Sequence, residues 1–250
     1  MVSSLQLPPP PGEDLQAEGR RLEQLVLSDP AGRAGWITEL ARVAVDLDLS
    51  VADLRSVATQ LTWVSRRLGQ PIPAIAEQCR DTGAVGLVHQ YVCGQRLRFD
   101  FNFRGLEDFC DRHANSPHAA DALVRSFRVF ARLGARLPGA TEDLEAVLRL
   151  PDADARARHV CLAGLWSAYT VPGQGDMLLK LANAMIALGE ADGTVYFRRA
   201  AANRLLGNYA AALDDIDCAL SLTTPGNNEI NQDYLRERQL IGLAAQLARN

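Results

Sequence analysis

Lysine is almost absent from this chain: Lys180 is the only one in 250 residues, and arginine carries nearly all the positive charge. Nor is there a surplus of positive charge. Twenty-six basic residues face 30 acidic ones, for a net charge of −4, so no global attraction to nucleic acid or anionic lipid exists and any such binding must come from a local patch. The five cysteines (Cys79, Cys93, Cys110, Cys161, Cys218) are odd in number and contain no CxxC pair, which argues against a disulfide framework and for reduced, mostly buried thiols. No apolar run approaches the ~18–20 residues of a membrane span. The N-terminus has no basic-then-apolar leader, and Pro8 to Pro11 would break one. A cytoplasmic, soluble protein is expected. Glycine-rich phosphate loops, nucleophile elbows and HExxH are all missing, so no enzyme, cofactor or metal is expected. Cys110, His113 and His118 lie close in sequence but lack the second ligand pair of a zinc site.

What is present favours helix. Alanine and leucine dominate and aromatics make up only 6%. After a proline-rich leader over residues 1–13, apolar periodicity predicts helices over 14–27 and 36–47. Ser50 caps a third helix that runs to Leu68 and stops at Gly69 and Pro71, with a short fourth over 74–80. After Asp53 the third helix carries only cations among its charges, Arg55, Arg66 and Arg67 among them. Residues 96–104, RLRFDFNFR, then alternate strictly, a period of two that predicts a strand. Gly94-Gln95 suits a hairpin turn before it, with residues 87–93 as the returning strand or as a helix. A short helix is expected over 105–113 and a long one over 118–137, where Arg125, Arg128, Arg132 and Arg136 share one face. Asp121 is placed to pair with Arg125 at i+4.

The clearest stretch is residues 195–224. It reads as two helices joined at Gly207-Asn208, with Ala200, Ala212 and Ala219 as the small residues where they meet. Tyr209, Leu213, Ile216 and Leu220 form one apolar stripe. Leu206-Gly207-x-Tyr209, Ala212, Ala219-Leu220 and Pro225 together resemble a tetratricopeptide repeat. Two degenerate copies precede it: Ala200 matches Gly164 and Phe127, and Ala219 matches Asn183 and Ala146. A last helix over 229–249 would cap the stack. The resemblance implies a concave groove lined by the first helix of each hairpin, with Arg128, Arg132, Tyr169 and Arg204 as partner-groove residues for an acidic peptide or another anion. The plain alternative is a solvated face. Asp214, Asp215 and Asp217 form an acidic run that fits Mg²⁺ loosely; on a second helix they should lie largely on the solvated face. Tyr91, Trp63 and Trp166 read as core or groove aromatics.

A looser resemblance covers residues 50–250. Trp63-Val64-Ser65-Arg66-Arg67-Leu68-Gly69, Gly94-Gln95-Arg96-Leu97, Phe101 to Phe109 and Ala122-Leu123-Val124-Arg125 are similar to segments of the streptomycete antibiotic regulatory proteins. Those join a winged helix to a tetratricopeptide-like domain. The resemblance implies DNA contacts from Arg55, Thr59, Gln60, Arg66 and Arg67.

The expected fold is therefore mainly α, an α-solenoid of tetratricopeptide-like hairpins over 116–250. A helical domain with one candidate β-hairpin, winged-helix-like in layout, precedes it over 14–115. The expected function is a non-enzymatic bacterial regulator acting by binding: a transcriptional regulator with protein, duplex DNA and a second copy as partners, or else a stand-alone adaptor gripping a peptide without DNA.

Overall fold

The computed structural model describes residues 51, 55, 58, 59, 62, 84–171, 173–223 and 228–249. The leader over 1–13, the helices expected over 14–27, 36–47 and 74–80, and Trp63, Gln60, Arg66 and Arg67 lie outside them. The described residues are mainly helical and contain no strand. Their helices are α1 (Ala84–Phe99), α2 (Phe103–Arg112), α3 (Ala122–Gly134), α4 (Ala140–Leu148), α5 (Ala155–Ala168), α6 (Gln174–Ala187), α7 (Gly193–Leu205), α8 (Tyr209–Ser221) and α9 (Asn228–Leu247). The chain divides into two compact units between Phe127 and Arg128, within α3.

In the first unit the β-hairpin expected over 87–103 is replaced by helix. α1 runs through Gly94 to Phe99, so residues 87–93 take the helical option and RLRFDFNFR is no strand. The alternation has a different cause. Asp100 and Phe101 turn the chain, Phe101 at a positive φ of 50°, and the Asn102 side chain then caps α2 by accepting from the Gly105 N–H at 2.9 Å. Gly94 serves packing instead of a turn: a Cβ there would lie 2.3 Å from the Phe127 ring. α1 packs on α2, and Leu87, Val88, Tyr91, Val92, Leu106, Phe109, Leu123 and Phe127 are all buried.

In the second unit consecutive helices pack on their neighbours: α5 on α6, α6 on α7, α7 on α8, α8 on α9. Gly207 takes a φ of 78°, a left-handed turn that glycine adopts without strain, and it separates α7 from α8 where the sequence placed the break. Ala200, Ala212 and Ala219 are fully buried, and Ile216 lies with them in one apolar cluster against Tyr234 and Ile241 of α9. Gly164 also marks a close approach, since a Cβ there would sit 2.9 Å from the Phe130 Cα. The other matches to Ala219 differ from expectation. Ala146 and Asn183 are exposed. Leu144, Leu178 and Ala212 are buried and stand 34 residues apart at each step (178−144 and 212−178). The larger residues fill the core around α4, α5 and α6, which includes Leu144, Cys161, Leu165, Leu178, Met185 and Val195.

Candidate functional site

The positions named for DNA fare differently from one another. Arg55 is 2% exposed and lies within the first unit's interior. Its Nη2 reaches the Asp121 carboxylate at 2.6 Å and its Nε donates to the Tyr91 hydroxyl at 3.2 Å, while that hydroxyl donates to Asp121 at 2.7 Å. Asp121 also accepts from the Val124 N–H at 3.0 Å, capping α3. Asp121 thus serves Arg55 instead of the expected Arg125, whose Nε donates to the Ala119 carbonyl. Burial, then the Asp121 charge, drives the Tyr91 phenol far above its ordinary pKa, so it remains a neutral donor. Thr59 donates to the Arg55 carbonyl and accepts from Gln95 at 3.3 Å. Arg55 is therefore a buried structural cation in this arrangement, with no face turned to a phosphate.

The groove arginines also have carboxylates of their own. Arg132 pairs with Asp143 of α4 and donates to the Pro138 carbonyl. Arg204 of α7 reaches Glu237 of α9 at 2.6 Å and lies within electrostatic reach of Tyr169, the residue that caps the C-terminus of α5. Tyr169 and Arg204 thus lie close together. Arg128 is half-buried. The acidic run is corrected at its middle residue: Asp215 is 3% exposed, bonded by Arg199 at 2.9 Å and Asn203 at 3.0 Å. Asp217 pairs with Arg238, and Asp214 is exposed.

Around Tyr169 and Arg204 lies a line of aromatic rings crossing three helices. Tyr169 stacks on Trp166 of α5 with centroids 4.3 Å apart, Trp166 meets Phe197 of α7 at 5.1 Å, and Phe197 stacks on Tyr234 of α9 at 4.8 Å. Phe197 and Arg204 are seven residues apart on α7, so the ring line and the Arg204–Glu237 pair run side by side on one face. Aromatic pairs at these distances contribute about 0.5–1.5 kcal/mol each beyond their buried area.

Beside this line sits Arg198, which sequence reasoning missed. The residue is half-buried, yet its Nε is sealed from solvent and has no hydrogen-bond acceptor. Burial pulls its guanidinium down to about 10, against the opposing pull of Asp192 and Tyr234. Asp192 is occupied in capping α7, where it accepts from the Val195 N–H at 3.0 Å. Arg198 therefore differs from Arg132, Arg158, Arg199 and Arg204, each of which forms an ion pair. The available signal was its place on α7, one residue from Phe197. Periodicity alone could not tell a paired arginine from an unpaired one.

Burial pushes the Cys161 thiol up to about 12 and raises Cys93 as well, so both are poor thiolates. His113 uses Nδ1 on the Phe109 carbonyl at 2.9 Å. Among the described residues no three His, Cys, Asp or Glu side chains converge as metal ligands, and no helix is long and apolar enough to cross a membrane. No family model, curated protein or solved structure matches this chain.

Proposed function

We propose that this chain works as a binding protein without catalytic activity, whose second unit is a tetratricopeptide-like stack that holds an acidic segment of a partner protein along α5, α7 and α9. The 34-residue recurrence of buried positions, the close approach at Gly164 and the left-handed turn at Gly207 support the repeat reading. One observation carries the ligand class: the Arg198 Nε is a buried donor without an acceptor, next to a line of aromatic rings. An unmet buried donor costs about 1–3 kcal/mol and marks a guanidinium not saturated from within, so an arriving carboxylate gains a charge-assisted bond to Arg198 without displacing an ion-pair partner. The rings supply apolar contact to the neighbouring residues of the same segment. Arg132 and Arg204 contribute less to binding, because a ligand must first displace Asp143 or Glu237.

The regulator reading, in which the same chain also grips duplex DNA, has less behind it. Helix occupies residues 87–99, where its wing would lie, and Arg55 is committed to Asp121. One experiment separates the two. The full chain is titrated with an array of fluorescent Asp- and Glu-rich peptides and, in parallel, with random-sequence duplex DNA at low salt. Capture of a subset of peptides that weakens roughly 10- to 100-fold in Arg198→Ala, the worth of one charge-assisted hydrogen bond, is expected. Peptide affinities equal in Arg198→Ala and wild type would refute the site. Tight, steeply salt-dependent duplex binding would favour the regulator.

A further inference from the structure

The last helix carries a second apolar face that none of the described residues of the second unit covers. Tyr234 and Ile241 turn inward and join the cluster against α8. Leu240, Leu243 and Leu247 are 41%, 57% and 77% exposed. At 100° per residue these three leucines and Arg236 share a sector of about 60° on the side away from Tyr234 and Ile241. The 3–4 spacing of the leucines is that of a two-helix seam. Singly exposed leucines are ordinary on a protein surface, but a stripe of three at this spacing marks a contact face.

We infer that this stripe is a homodimer interface, in which α9 packs antiparallel against α9 of a second copy. Three features point to a second copy. From Gln239 to Ala248 the helix has no ionisable residue, so two copies can close over the leucines without opposing like charges. The antiparallel register sets Leu240 of one protomer against Leu247 of its partner and brings Leu243 to the two-fold axis, so one stripe satisfies both sides. That register also carries Arg236 to the end of the partner's helix, where the last carbonyls are open and the helix dipole is negative. A parallel pairing would instead press Arg236 against Arg236. The 20 residues of α9 give the pair a length of about 30 Å. The inference rests on α9 alone and stands or falls separately from the peptide site at Arg198.

The test is sedimentation equilibrium on the full chain from about 5 to 200 µM, the range expected for a modest interface. Wild type should associate to a dimer. Leu243→Glu, which places two carboxylates together on the axis, should weaken association at least ~30-fold with unchanged helicity and thermal midpoint. Leu240→Glu and Leu247→Lys should each weaken it, and the chain carrying both should recover, because antiparallel packing sets the two new charges against each other. A wild-type chain that stays monomeric overturns the inference, as does a dimer indifferent to Leu243→Glu. Recovery that fails in the double variant overturns the antiparallel pairing. A monomer that uses these leucines to bind phosphatidylcholine vesicles would make the stripe a lipid face and also overturn it.

Discussion

Asp121→Ala should be among the most damaging single changes in the first unit. It takes the Asp121 carboxylate away from the buried Arg55 guanidinium, and removing one partner of a buried ion pair costs about 3–5 kcal/mol. It also removes the acceptor for the Val124 N–H at the start of α3, worth about 1 kcal/mol. Together these reach on the order of 4–6 kcal/mol, a large share of the ~5–15 kcal/mol that holds a typical domain together. Asp121→Asn keeps an acceptor for the cap and should lose mainly the charge. Adding Arg55→Met to Asp121→Asn should cost less than the two single changes summed, because the two side chains interact directly. Urea unfolding by far-UV circular dichroism gives the free energies, and hydrogen exchange on α1 and α3 assigns them to this unit. A loss below about 1 kcal/mol in Asp121→Ala would refute the buried pair. It would return Arg55 to the set of side chains free to meet a phosphate.

Two further outcomes follow from packing and titration. Gly164→Ala sets a Cβ 2.9 Å from the Phe130 Cα, a backbone atom that cannot swing aside, and should cost about 1–3 kcal/mol by thermal melting; an unchanged midpoint would mean that α3 and α5 are further apart. Cys161, pushed up to about 12 by burial from an ordinary value of 9.0, keeps its proton in the folded state while the unfolded thiol ionises. The unfolded state therefore gains as pH rises. Stability should fall between pH 9 and 12, by about 1.4 kcal/mol per pH unit at most, and Cys161→Ala should flatten the dependence. Urea midpoints at pH 8 and pH 10 for the two proteins decide it.

The hairpin of α7 and α8 was legible because its signals are local. A left-handed glycine, small residues at helical spacing and an apolar stripe each constrain their own few residues. The alternation over 96–104 has the period of a strand, yet a turn at Asp100 and Phe101 divides it between two helices. Gly94 misled for a related reason: its missing Cβ makes room for Phe127, more than thirty residues on, a demand invisible in the local sequence. Asp215 and Arg55 show the same limit for charge. An acid beside two exposed acids reads as solvated surface until Arg199 and Asn203 are placed against it, and a cation on a polar helix face reads as free until Asp121 closes on it. Arg198 is the converse, a cation on the same helix whose Nε the fold leaves without an acceptor.

Arg199 has a mechanical consequence. From α7 it reaches Asn183 on α6 at 2.8 Å and Asp215 on α8 at 2.9 Å, so one side chain bolts together three successive layers. Peeling α8 away would strand that guanidinium and loosen its hold on α6 in the same event. The middle of this unit should therefore come apart as a block, and a pull on one end should be felt two helices away.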